Sequence, residues 1–531
     1  MPNGYSLRFL RLGYFSRIMS GSTSYDSWTR EELIARLRHV DVHSQKPNAA
    51  PKPLRHVQKP FDFSAHPRRK IALRFSYNGS EYGGLEAQKT PTPLPTVEGV
   101  LYEALVHTKL IDPSGGMEGC GWEKCGRTDK GVSAAGQVIS LWVRSALGEA
   151  KTDADTEAVT STVTESSITE ASQPLAAAEN VTGLDGDLAL MGDWDEPPTS
   201  NSLPPPTKPA TELNYVALLN NVLPLTVRIN AWSPVAPDFS ARFSCRYRHY
   251  KYFFTPHGLD LDAMRDAASR LVGEHDFRNL CKVDPQKQLT SFVRRILSAE
   301  INPATPQKDD IYVLDLKGYA FLYNQVRHIM AILFLVGTRL EHPSVVDALL
   351  NVDPANPKPP SRENESPPPV VESKPEYQMA QPFPLMLWDC GYDPAVVQWQ
   401  GGPGGVDTNG GVSTPKQASG NLYEQLHSLY ERSLVQTALD LHFLRAAEPF
   451  HAPPPQYLPV GHPDSAPIAQ NTTLSIPTGA GAYSRTSSYV PLLQRKRGDL
   501  PDVINERWRL GKGAKRIAAR KATTEPDDAD E

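Results

Sequence analysis

Cysteine is scarce in this chain, at five residues in 531. The five are Cys120, Cys125, Cys245, Cys281 and Cys390, an odd number with no pair at CxxC spacing. That usage argues against a disulfide framework, gives a cysteine zinc site no sequence support, and fits a reducing, intracellular compartment. No apolar run reaches the roughly 18 residues that a membrane span needs. There is no GxxxxGK[ST] loop, no GxGxxG after the first strand and no HExxH, and the histidines are scattered, so nucleotide-loop, dinucleotide and zinc-hydrolase chemistries lack their usual residues. The facing pair of acids of a glycoside hydrolase is also missing. No fixed period is present, which removes solenoids.

Proline is abundant, at 49 residues, and the net charge of −5 is unevenly spread. Residues 146–212 hold 13 acids against Lys151 and Lys208, a net −11, which leaves the rest of the chain at +6. Rich in Ser, Thr and Pro, that stretch reads as a disordered acidic insertion. Residues 1–67 read as an N-terminal tail with one short helix over 27–38, where Leu33, Ile34 and Leu37 make an apolar face. Arg8, Arg11 and Arg17 without an acid weakly resemble a mitochondrial leader, but a disordered tail is the preferred reading.

Two stretches have folded periodicity. Over 68–145, "KIALRFSY" alternates as a half-buried strand, "TVEGVLYEALVHT" has helical spacing, and "QVISLWV" is a second strand. Over 213–395, helices and strands alternate irregularly around "FLYNQVRHIMAILFLVG", a helix apolar nearly all round and therefore buried. A Pro-rich insertion at 353–381 interrupts this half. Residues 396–488 read as linker, a helix at 421–446 and a disordered loop. Residues 489–531 read as a basic segment that docks through Tyr489, Val490, Leu492, Leu493 and a short helix from Pro501 to Trp508, followed by a tail. Strands beside strands as often as beside helices predict an α+β fold with a largely antiparallel sheet.

Three places carry chemistry. In "CGRTDKGV", Cys125 to Val132, an acid sits between Arg127 and Lys130 on a backbone bent at Gly126 and Gly131. An ordinary surface turn has the same composition. Arg327 lies in the apolar helix and needs either solvent or a carboxylate, for which Asp129 is a candidate. Two cations beside Asp129 would hold its carboxyl below the ordinary range and keep it a permanent anion, suited to a nucleophile. Tyr250 follows Arg242, Arg246 and Arg248. A strand edge that interleaves arginines with aromatics suits RNA, as it also suits a sheet edge kept soluble by charge.

Taken together, "GRTDKGV", "ARFSCRYRHYKYFF" and "FLYNQVRHIM", with "GEHDFRNLCK" and "YVPLLQRKRGDLPDVINERW", resemble the TruA-type tRNA pseudouridine synthases. The likeness is to the eukaryotic branch that modifies positions 38 and 39 of the anticodon arm. It covers about residues 27–145, 213–345, 383–395 and 489–510. The resemblance implies a pseudouridine synthase fold, in which two α/β halves form one sheet platform with a central cleft. It implies Asp129 as catalytic nucleophile, Arg127 and Arg327 positioning and neutralising it, and Tyr250 stacking on the uracil and assisting loss of the C5 proton. It further implies no cofactor and no metal, tRNA as partner and homodimers as a common state. The expected residence, from the reducing compartment that the cysteine usage fits, is cytoplasm and/or nucleus. At "GGLEAQ", Gly83 to Gln88, the family often has an aromatic after the glycine, so this chain departs in an RNA-contact loop. The competing reading is a tRNA-binding folding chaperone with a degenerate site, against which the intact Asp129, Arg127, Tyr250 and Arg327 argue.

Overall fold

The structure is a computed structural model, which describes residues 61–88, 92–147, 212–305, 308–401 and 422–515. The chain divides into residues 1–61 and 62–531, and the second unit is the one described. The expected helix at 27–38 and nearly all of the acidic insertion lie outside the described residues.

Nine strands form one sheet among the described residues. They are β1 (Arg68–Tyr77), β2 (Glu123–Lys124), β3 (Ser133–Arg144), β4 (Val227–Pro234), β5 (Tyr247–Phe254), β6 (Gly273–Asp276), β7 (Val293–Thr305), β8 (Lys308–Gly318) and β9 (Leu385–Gly391). The order is β4-β1-β3-β9-β5-β8-β7-β6, with β2 also paired to β3. Every pairing is antiparallel except β3 with β9, which run parallel over Ser133 to Met386 and Ala134 to Leu387. The α+β expectation is met, and the one parallel pairing is the seam between two halves.

The first half packs α1 (Val97–His107) and α2 (Tyr215–Asn220) on β1, β3 and β4. Thr96 caps α1, its hydroxyl accepting from the Gly99 N–H at 3.2 Å, and Val97, Leu101 and Leu105 are buried as their spacing requires. In the second half α3 (Leu261–Ser269), α4 (Gln325–Gly337) and α5 (Val345–Leu350) pack on β5, β7 and β8. Tyr250 in β5 packs against both apolar cores. Gly136 of β3 sits where the halves meet, and a Cβ there would lie 2.6 Å from the Trp388 carbonyl oxygen. Only glycine permits that approach.

The two insertions beyond α5 are packed, contrary to the expected disorder. In 353–381, Val371 is buried and its N–H donates to the Asn351 carbonyl. Glu365 pairs with the buried Arg270, which also pairs with Asp347. After the exposed α6 (Leu422–Ala447), the loop to 488 returns as a hairpin, β10 (Leu474–Gly479) with β11 (Ala482–Thr486), whose Ile476 enters the second core. The Gln381 N–H donates to the Thr478 carbonyl at 2.8 Å. Sparse apolar residues among the prolines gave these stretches a disordered composition, yet each finds a place on the α4 side of the core. The terminal segment also docks. Leu492 is fully buried, its N–H and the Tyr489 hydroxyl both donate to Glu341, and Pro375 bridges Arg497. In α7 (Pro501–Trp508) the buried residues are Pro501 and Asn505, while Val503 is exposed. The inward face is thus carried by Pro501 and Asn505. The reason is polar: Asn505 is held by the Leu289 carbonyl and by Gln288.

The acidic insertion leaves and returns at one point. Glu212 accepts from Arg69 at 2.6 Å, from the Ser145 hydroxyl at 2.7 Å and from the Ala146 N–H at 3.0 Å. Replacing 148–211 with a short linker should therefore keep the melting temperature, whereas Glu212→Ala in that protein should lower it by a few degrees. In the terminal segment, Leu492→Ala should cost about 2–5 kcal/mol, read by urea unfolding. A change under about 0.5 kcal/mol would mean that the segment is not part of the core.

Candidate active site

The loop Cys125–Val132 joins β2 to β3 and is fixed at both ends. The Cys125 N–H donates to the Val138 carbonyl at 2.8 Å. The fully buried Gln137 clamps Gly126, accepting from its N–H at 3.3 Å and donating to its carbonyl at 3.0 Å. Thr128 is buried and shares a 2.6 Å hydrogen bond with the Tyr77 hydroxyl. Gly131 has φ +83°, the left-handed turn that the sequence asked of it. The Val132 N–H closes the turn onto the Asp129 carbonyl at 3.1 Å. Asp129 is thereby left half-buried at the seam.

The electrostatics differ from the expectation. Burial pushes the Asp129 carboxyl above the ordinary carboxylate value; Arg327 opposes this most, then Lys287 and Lys282. The cations restrain the rise without reversing it. Arg327 is partly buried on α4, and its Nε donates to the Ala380 carbonyl at 2.8 Å. Burial lowers its own pKa, and Asp129 is the first charge to oppose that. An arginine stays charged through such a shift, so α4 presents a fixed cation to the acid. The structure brings Asp129 and Arg327 together, as the two motifs suggested.

Arg127 is elsewhere. Its guanidinium is exposed and pairs with Glu86 at 3.2 Å. Glu86 belongs to "GGLEAQ", whose Leu85 is buried and whose acid takes Lys124 at 3.3 Å as well. The arginine that neighbours Asp129 in sequence is thus directed to the rim, and the lysines that do act on Asp129 come from 282–287. Lys282 lies in "GEHDFRNLCK", which marks a family likeness but shows no role by its spacing. Both lysines lie over the Tyr323 ring, at 5.7 and 5.6 Å.

Tyr250 is central in β5, between Leu316 of β8 and Leu387 of β9. Its ring meets Phe321 edge-on at 4.9 Å. Burial raises its hydroxyl pKa, only partly offset by Arg248, so it remains a neutral phenol at pH 7. Arg248 explains the "RYR" pattern. One of its nitrogens donates to the Tyr319 carbonyl at 2.8 Å, the other to the carbonyls of Cys125 at 2.9 Å and Arg242 at 3.0 Å. It braces the acid's loop, the turn before β5 and the segment that leads into α4.

Asp129 on its bent loop thus faces the charge of Arg327 from α4, while Tyr250 lies in the central strand between the two cores. A family model described as tRNA pseudouridine synthase matches residues 267–393. The tRNA pseudouridine(38/39) synthase of Saccharomyces cerevisiae is 37% identical over 398 residues, 71% of this chain and 73% of its own length. The Homo sapiens protein of the same name is 38% identical over 351 residues, 65% of this chain and 59% of its own length. The tRNA pseudouridine synthase A of Methanothrix thermoacetophila is 30% identical over 336 residues, 62% of this chain and 85% of its length. The chain belongs to the tRNA pseudouridine synthase family.

The Asp129 carboxyl, followed by carbon-13 NMR, should titrate above the ordinary carboxylate value. Removing the largest opposing charge with Arg327→Ala should move it higher still. Arg127→Ala should leave it in place, since that arginine's partner is Glu86. An equal response to the two substitutions would refute this assignment of charges.

Proposed function

We propose that this protein isomerises uridine to pseudouridine in the tRNA anticodon arm, at positions 38 and 39, with Asp129 as nucleophile. The observation that carries the reading is Asp129 on a clamped turn with Arg327 as the strongest charge acting on it. The relatives' names, tRNA pseudouridine(38/39) synthase in yeast and human, supply the substrate and the positions.

A stacked uridine has to leave its stack before its glycosidic bond can be attacked. The vacated position is filled from the rim, where Arg127 and Glu86 stand, and the extruded nucleotide's phosphates meet Lys282, Lys287 and the free N–H groups of Arg327. With the carboxylate thus neutralised on both sides, Asp129 attacks either C1′ of the sugar or C6 of the uracil. The C1′–N1 bond breaks, the base turns and C5 bonds to C1′; the bond to Asp129 breaks to return the free carboxylate, and the proton lost from C5 is balanced by one gained at N1. Atoms and charge are conserved overall, so the reaction itself consumes no oxidant, reductant or group donor. Tyr250 contributes a ring against which the base rotates and a phenol that stays protonated.

The reading extends to a second copy of the chain. No residue of α6 is buried, and Tyr423, Leu426, Tyr430, Leu434, Phe443 and Leu444 are exposed, an apolar content that suits a homodimer. A tRNA substrate is compatible with residence in cytoplasm and/or nucleus.

Purified protein incubated with unmodified tRNA, followed by pseudouridine mapping, tests the reading. Wild type should modify the anticodon arm. Asp129→Asn should abolish product while changing tRNA affinity less than threefold, because most affinity comes from spread phosphate contacts. Binding without product in the wild type would instead support a folding chaperone.

A further inference from the structure

Three of the five cysteines come together in space. Cys125 opens the loop that carries Asp129, Cys245 precedes β5, and Cys390 is the penultimate residue of β9. Their sulfur atoms all lie within 4.8 Å of one another, and no disulfide joins them. Cys125 and Cys390 are buried and Cys245 is half-buried. The sequence hid this cluster because its members are far apart along the chain. Free buried cysteines are ordinary as small apolar residues, but three converging on one point beside a guanidinium are a different arrangement.

We propose that Cys125, Cys245 and Cys390 bind one zinc ion as a structural clip across the seam between the two halves. The ligand set is all sulfur, with no carboxylate or imidazole in the cluster, which selects soft and borderline cations over magnesium or calcium. Zinc–sulfur bonds of about 2.3 Å in a tetrahedron place sulfurs about 3.8 Å apart, so the observed cluster needs to contract by about 1 Å or less. Charge balance favours a divalent ion. Three thiolates and Zn²⁺ leave one negative charge, and the Arg248 guanidinium, whose Nη2 donates to the Cys125 carbonyl at 2.9 Å, supplies the compensating positive charge. The half-buried Cys245 gives solvent a route to the cluster, and water completes the fourth position.

Zn²⁺ entering the cluster forms three Zn–S bonds and displaces the thiol protons. The clip would join the Asp129 loop, the turn that leads into the Tyr250 strand, and β9. Its role is to hold these three in register, independently of the isomerisation chemistry.

The full-length protein, purified under reducing conditions, should carry close to one zinc per chain by inductively coupled plasma mass spectrometry. After chelator stripping, Co²⁺ should produce a thiolate-to-cobalt charge-transfer band that saturates at one equivalent. Cys245→Ser should lose the band and at least tenfold in metal affinity. Cys245→His, which restores a ligand, should recover binding with a changed spectrum, and Cys120→Ser, outside the cluster, should bind as wild type. Metal should raise the melting temperature of wild type and not of Cys245→Ser. Metal-free protein that takes up no Co²⁺ at stoichiometric concentration would overturn the proposal. So would a disulfide among the three, seen by mass spectrometry of the non-reduced protein. Wild-type metal content and Co²⁺ uptake decide the question even if a variant does not fold.

Discussion

The molecule is organised around one carboxylate that is expensive to keep charged where it stands. Asp129 lies at the seam of two apolar cores, and burial works against its ionisation. Moving it outward would remove that cost and would also remove it from the cations of the other half. What makes the position tenable is a cation from the other half, Arg327, on a helix otherwise buried and mostly apolar. The two halves must therefore meet in one register, because a displacement of either changes the balance between burial and attraction. The single parallel pairing of β3 with β9, the close approach at Gly136 and the three carbonyls gathered by Arg248 all serve that register.

Much of this was legible in the chain, for reasons that can be named. Strand β1 alternates because one face packs on α1, and "FLYNQVRHIMAILFLVG" reads as buried because a helix without a polar face has nowhere else to go. Asp129 and Arg327 stood out since each breaks its local pattern, an acid between bases and a base among aliphatics. The direction of the Asp129 shift was not legible. Counting cations gives the sign of their effect but not the burial they oppose, and burial is a property of the assembled seam. The place of Arg127 was lost for a similar reason: adjacency in sequence suggested adjacency in space, yet successive residues on a tight turn point apart, and Glu86 lay waiting in a loop read only as a departure from pattern.

Composition misled at the later insertions. Residues 353–381 and the stretch after α6 have the proline and serine content of disordered chain, and neither has a period of any kind. Their contribution is carried by isolated residues, such as Val371, Glu365 and Ile476, each meeting a partner far away in sequence. Irregular segments that dock residue by residue leave no periodic trace. The same limit concealed the cysteine cluster, since spacing rules recognise ligands that share one local loop, whereas these arrive on three separate segments.

The wrapping of α4 has a consequence for how the protein is made. Its exposed flank is covered by Ile476 of the hairpin and by Tyr489 and Leu492 of the terminal segment. These residues leave the ribosome about 150 residues after α4 is complete, which at ordinary elongation speeds is on the order of ten seconds. Throughout that interval the aliphatic surface of the helix bearing Arg327 lacks this part of its cover. A chain halted between Gly337 and Leu492 thus holds Asp129 and Arg327 yet lacks part of the cover over the helix that carries Arg327. Full burial of that helix is tied to the completion of the chain.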